Sequence, residues 1–245
     1  MDSGYYAACT ALVSRTQALD TIANNLANAS TVGYRAQQNE FSSVLAQAGS
    51  APDSDLNNAI NNYGILSGTT LDQTQGALQK TGNDLDLAIQ GSGFFVVQTA
   101  NGPMYTRNGS FQVSGKGQLI TATGDPVMGD MGAISMLPGS VSISADGTIS
   151  SNGAVAGKLK LVQFPAGTQL TSVGDTYYSA PPKSELAATD STVKQGMLES
   201  SNVNPVASMV ELITAQRSAE MMQRALSLYN SEMDKTATQE LPKVG

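Results

Sequence analysis

Leu212-Ile213-Thr214-Ala215-Gln216-Arg217-Ser218-Ala219-Glu220-Met221-Met222-Gln223-Arg224-Ala225-Leu226 is the stretch that decides how the chain is read. Leu212, Ala215, Ala219, Met222 and Leu226 step by threes and fours, and Tyr229, Met233 and Thr236 carry the step onward. That spacing lines one face of an α-helix as a heptad seam, the geometry of a coiled coil. Upstream, Asn204-Pro205 supplies a cap and then a proline at the first helical position. Downstream, Pro242 forbids helix beyond Leu241.

The opposite end of the chain repeats the pattern. Tyr5, Cys9, Leu12, Thr16, Leu19, Ala23 and Leu26 alternate fours and threes, with Asp2 or Ser3 as cap and Gly33 as a left-handed stop. Val13 and Ile22 widen this stripe as Val210 and Ile213 widen the other. A lone helix cannot bury such a seam, and fully burying a Leu or Met is worth about 1.5–3 kcal/mol. The two helices are therefore expected to pair, and the width of the stripes favours packing against further copies over a closed monomeric hairpin.

Between the helices the period falls to two. Phe94-Phe95-Val96-Val97 reads as a short strand, and Val141 and Ile143 alternate before an Asp146-Gly147 turn that returns through Ile149. Similar runs at 111–113, 119–121, 159–164 and 177–178, punctuated by Gly, Asn, Asp and Pro, suit an all-β sandwich or barrel-like unit. Residues 46–75, rich in Asn, Ser, Gly and Asp, read as an extended linker with limited pairing. The expected fold class is α+β, with long N- and C-terminal helices pairing as a coiled-coil-like unit and a central all-β domain between them. The expected boundaries are 1–33 for the first helix, 34–80 for the linker, 81–200 for the β-domain and 201–245 for the second helix.

Composition narrows the function. Thirteen basic against twenty acidic residues give a net charge of −7, which offers no general grip on nucleic-acid phosphates or anionic lipid. Neither nucleic acid nor membrane insertion is expected, since no run of about 18 apolar residues occurs. With no histidine in the chain, Ser-His-Asp and Cys-His systems and imidazole metal sites are excluded. Cys9 is the single cysteine, which rules out an intrachain disulfide, and it reads as a small packing residue. Met1-Asp2-Ser3 opens the chain without the basic n-region of a secretory leader.

The remaining candidates for chemistry read as structure. Asp84 and Asp86 alternate with Leu85 and Leu87 as one wet face of a strand, and only Asn83 adds a nearby oxygen ligand. Asp146-Gly147-Thr148 lacks the pattern of a calcium loop, and Gly91-Ser92-Gly93 precedes a strand rather than a phosphate-binding helix. No catalytic, metal or cofactor site is expected. The informative polar cluster is Asn24, Asn25 and Asn28 beside an apolar seam, where amides can fix register or join interhelical hydrogen bonds. Asn202 and Asn204 invite the same reading.

Three blocks, in order, carry a family resemblance. Ala23-Asn24-Asn25-Leu26-Ala27-Asn28-Ala29-Ser30-Thr31-Val32-Gly33-Tyr34-Arg35 resembles the amino-terminal signature of bacterial flagellar basal-body rod and hook proteins. Gly91-Ser92-Gly93-Phe94-Phe95-Val96-Val97 and Tyr105-Thr106-Arg107-Asn108-Gly109-Ser110-Phe111 are similar to the central segment of those subunits. Glu199-Ser200-Ser201-Asn202-Val203-Asn204-Pro205, followed by Ala215-Gln216-Arg217, resembles their carboxy-terminal signature. Within the family, the short start, Tyr5 and the length look most like a proximal rod subunit, with a distal one as the alternative.

The resemblance implies a non-enzymatic axial subunit, passed unfolded through the flagellar type III export apparatus without a cleaved leader and assembled in the periplasm. Its partners would be copies of itself and other rod proteins. Its terminal helices would form the inner tube of a torque-transmitting shaft, with the β-domain outside. The expected subunit-interface residues are Tyr5, Leu12, Leu19, Asn24, Asn25, Leu26, Asn28, Gly33, Tyr34, Asn202, Asn204, Leu212, Ala219, Leu226 and Met233. From a different class, a secreted β-domain that binds glycan or peptide needs exposed aromatics, yet aromatics are 5% of the chain and Trp is absent.

Overall fold

A computed structural model describes residues 2–42, 65–165, 167–174 and 176–235. Among these the chain forms two helices and nineteen short strands. Helix α1 spans Asp2–Ala27 and helix α2 spans Pro205–Lys235. The chain divides into two compact units. One comprises residues 1–26, 38–69 and 205–245; the other comprises 27–37 and 70–204.

The second unit is built on an antiparallel six-stranded sheet. Its strands are β5 (Phe94–Thr99), β6 (Gly102–Thr106), β14 (Leu161–Gln163), β15 (Thr171–Val173), β16 (Tyr177–Ser179) and β17 (Leu186–Ala187), in the order β15-β16-β6-β5-β14-β17. The run Phe94-Phe95-Val96-Val97 forms the first four residues of β5 and is buried on both faces. Because alternate side chains of a strand point to opposite faces, it feeds two cores. Phe95 and Val97 join Leu87, Phe111, Leu119, Val127 and Ile149 on one side. Phe94 and Val96 join Tyr105, Val162, Phe164 and Tyr178 on the other. A sheet covered on both faces needs an unbroken apolar run rather than alternation, and this run supplies it.

Smaller ladders complete the unit. β11 (Val141–Ile143) and β12 (Thr148–Ser151) form the hairpin expected around Asp146-Gly147, where the Asp146 carboxylate accepts from the Thr148 amide at 3.2 Å. β7 (Phe111–Val113) pairs with β8 (Leu119–Thr121). β4 (Leu87–Gln90) pairs with β18 (Thr192–Gln195), and β3 (Leu78–Lys80) with β19 (Met197–Glu199).

Phe95 packs edge-on against Phe111, with ring centroids 5.1 Å apart, and neither ring is appreciably exposed. Phe95→Ala should cost about 3–5 kcal/mol, as large core truncations do. Val155→Ala, at a residue 72% exposed, should stay within about 0.5 kcal/mol. Urea unfolding of the two variants beside the native chain measures both.

A polar strut on the other side of the sheet carries a pH dependence. The Tyr105 hydroxyl donates to Glu185, whose other carboxylate oxygen is 3.2 Å from Lys160 Nζ. The tyrosine hydrogen bond, followed by the lysine, holds the Glu185 carboxyl below its ordinary range. A carboxyl lowered by folding stabilises the fold above its unfolded pKa and loses that contribution as pH falls through the lowered value. Melting temperatures between pH 7 and pH 3 should therefore fall less steeply for Glu185→Gln than for the native chain.

The fold differs from the expected α+β class with paired helices. The described chain is mostly β, and coiled-coil pairing of the two helices is not established. In α1 the buried residues are Ala11, Ser14, Ala18 and Thr21, a stripe of small side chains turned one position from the expected seam. The seam residues Leu12, Leu19 and Leu26 are only half-buried, and Thr16 and Ala23 are exposed. Heptad spacing fixes a period but not which face is covered, and large knobs in holes are what a coiled coil requires. On α2 the covered stripe follows the expected positions, with Ser208 and Ala219 buried and Leu212, Ala215, Met222 and Leu226 half-buried.

Three local readings also change. Asp84 and Leu85 form a turn, and the strand begins only at Leu87. Part of the expected linker is strand, since β1 (Gln37–Ser42) and β2 (Ile65–Leu71) pair with each other, while 46–64 lies outside the described residues. Helix α1 stops at Ala27, six residues before Gly33, so the left-handed conformation of Gly33 serves another purpose.

Candidate functional site: a buried clasp of three chain segments

Residues 30–36, 72–77 and 199–203 converge in the β-rich unit. The Gly33 amide donates to the Glu199 carbonyl at 2.8 Å, and the Asn202 amide to the Tyr34 carbonyl at 3.4 Å. Asn202 holds the junction through its side chain. Its Oδ1 accepts from the Ala36 amide at 2.7 Å, while its Nδ2 donates to the carbonyls of Asp72 at 3.2 Å and Thr74 at 3.0 Å. The Asp72 amide donates to the Ala36 carbonyl at 2.8 Å, and the Ser200 amide to the Ala77 carbonyl at 2.9 Å.

Backbone packing explains the glycines. A Cβ on Gly33 would overlap the backbone of Arg107 and Asn108, and its φ of +71° is one that only glycine adopts freely. A Cβ on Gly76 would overlap the Ser200 carbonyl.

At the centre lies a charge cluster. Glu199, at the end of β19, sits between two guanidiniums: Arg35 Nη2 is 2.8 Å from its Oε1 and Arg107 Nη1 is 3.1 Å from its Oε2. The Gly76 amide also donates to Oε1 at 2.9 Å. All three side chains are 1% exposed. Arg107 further donates to the carbonyls of Ile89 at 3.3 Å and Gly91 at 2.5 Å, and its guanidinium stacks 5.1 Å above the Phe94 ring. The Arg35 amide donates to the Tyr178 hydroxyl at 3.0 Å, and burial pushes that phenol above its ordinary range.

Two cations and one carboxylate leave the cluster one positive charge in excess. Burial pushes the Arg107 guanidinium down to about 10, with Arg35 pushing the same way and Glu199 opposing both. Nε, Nη1 and Nη2 of Arg35 and Nε of Arg107 are buried without a hydrogen-bond acceptor, so Arg35 meets Glu199 as an ion pair alone. Chemically the cluster is a joint. The carboxylate already accepts from the Gly76 amide and from Arg107 and is ion-paired with Arg35, and a guanidinium offers donors but no acceptor. Among the described residues no three His, Cys, Asp or Glu gather as a metal site, and no helix is long and apolar enough to cross a membrane.

The expected interface residues fall into different settings. Gly33, Tyr34 and Asn202 belong to the clasp. Asn28 is buried and closes a local turn, accepting from Thr31 Oγ1 at 3.0 Å and from the Thr31 amide at 3.1 Å. Asn25 is half-buried, and Asn24 and Asn204 are exposed. Leu12, Leu19 and Leu26 lie half-buried on α1, while Leu212, Ala219 and Leu226 lie on the covered stripe of α2. The side chains of Tyr5 and Met233 lie outside the described part of the chain.

Away from its covered stripe α2 carries Val206, Met209, Val210, Ile213, Met221 and Leu228, each at least 52% exposed. Reading the sequence missed Arg35, Arg107 and Glu199, although each stands inside one of the three signature blocks. Their rarity in a chain only 13% charged was the available signal.

Comparison with known proteins finds the same three regions. Residues 6–35 match the family described as "Flagella basal body rod protein", 88–151 match "Flagellar hook protein FlgE/F/G D1 domain", and 194–240 match "Flagellar basal body rod FlgEFG protein C-terminal". The chain is 34% identical to the flagellar basal-body rod protein FlgF of Caulobacter vibrioides over the full length of both. It is 36% identical to FlgF of Escherichia coli, covering 93% of this chain and 94% of that one. It is also 32% identical to the rod protein FlgG of Buchnera aphidicola, over 89% of this chain and 92% of that one.

Proposed function

The chain belongs to the flagellar basal-body rod protein family and is a structural subunit of that rod, and we propose that it builds the proximal part of the shaft through its terminal helices. The observation that carries this reading is the clasp. It ties the segment after α1 and the segment before α2 to one β-rich body, as a part loaded through both helices requires. The exposed apolar residues of α2 support assembly, because contiguous apolar surface of this kind marks contact sites.

In the same reading the terminal helices line the axis, and neighbours are copies of this chain and other rod proteins. The chain travels through the flagellar export apparatus, assembles in the periplasm and performs no catalysis. The distal rod is the second reading, favoured by the 32% identity to a FlgG protein.

Electron microscopy of basal bodies from a strain lacking this chain tests the reading. Rods interrupted near their base are expected. Interruption further out would favour the distal position, and complete rods would contradict both.

A further inference from the structure

The clasp imposes an order on its own closure. Segment 28–37 is held on the β-rich unit by backbone bonds to Glu199, Asn202, Asp72 and Tyr178, each individually modest. Seating that segment also buries the Arg35 guanidinium beside Arg107, and both end 1% exposed. Two desolvated cations with no counter-charge are far costlier than a few neutral hydrogen bonds can offset. The counter-charge comes from the far end of the chain, because Glu199 lies 92 residues beyond Arg107.

We propose that Glu199 is the key of a charge-operated latch: the segment carrying Arg35 seats on the β-rich unit only when this carboxylate stands between the two guanidiniums. The amino-terminal signature therefore stays unseated until the carboxy-terminal segment has arrived, and both helix roots are then fixed to one body in a single step. This goes beyond the rod reading and holds for either rod position.

Hydrogen exchange on the full chain tests it by comparing the native protein, Glu199→Gln and the double variant Glu199→Gln/Arg35→Met. The reporters are the amides of Gly33, Arg35 and Ala36, which donate to the Glu199 carbonyl, the Tyr178 hydroxyl and Asn202 Oδ1. The reference amides are those of Phe95–Val97 in the central ladder. In Glu199→Gln the reporters should exchange faster by roughly 100-fold or more, as befits a buried ion pair deprived of one partner, while the reference stays protected. Removing the surplus cation in the double variant should return most of the protection.

Three outcomes would overturn the latch. The first is reporters that stay protected in Glu199→Gln. The second is a double variant that exchanges as fast as the single, leaving Glu199 only as the acceptor of the Gly76 amide. The third is loss of protection at reporter and reference together, leaving no separable step.

Discussion

A strain whose only copy of the chain carries Ile213→Asp is expected to be non-motile, while the purified variant melts within about 2 °C of the native chain. Ile213 is 52% exposed, with Met209 and Val210 exposed beside it, so in the free chain a carboxylate there stays in water. In a shaft built through the helices that face is covered by a neighbour. The same carboxylate then becomes a buried, unpaired charge repeated in every copy. Glu211→Gln, at an exposed position two residues away, serves as a control that should leave swimming intact. Normal motility of Ile213→Asp would remove this face of α2 from the assembly.

Gly33→Ala is the second large effect, and its size is capped by its own mechanism. An alanine at a φ of +71° costs roughly 1–3 kcal/mol of backbone strain, and the new methyl would also overlap the backbone of Arg107 and Asn108. Forcing a group into packed structure adds roughly 1–3 kcal/mol. Segment 28–37 can escape both by letting go of the β-rich unit, so the cost cannot exceed what the clasp is worth. The expected result is loss of amide protection at 33–36 with the urea midpoint of the β-core unchanged. A midpoint that falls by the whole sum would mean that the clasp and the core unfold as one.

Local pattern was legible in the sequence wherever one element settled the matter by itself. Phe94–Val97 announces a strand, Asp146-Gly147 a hairpin, and Asn204-Pro205 the start of α2. Periodicity placed the covered stripe of α2 correctly and that of α1 one position off. Small residues such as Ala11, Ser14 and Ala18 are buried there by close approach rather than by hydrophobicity, and apolar spacing does not register them.

The clasp was illegible for a different reason. Arg35, Arg107 and Glu199 sit on three segments distant in sequence, and charge pairing across such distances leaves no period along the chain. The glycines of the signature were visible, but Gly33 was read as a helix stop. Its left-handed backbone instead lets the chain lie against Arg107 and Asn108.

The most direct test of the central claim is to locate the chain in extracted basal bodies. Met131, 99% exposed between β9 (Met128–Gly129) and β10 (Gly132–Ala133), can be replaced by cysteine in a Cys9→Ser background, leaving one thiol for a gold label. Label should remain along the axial shaft near its base after detergent extraction. Basal bodies that keep a complete rod but carry no label would contradict it.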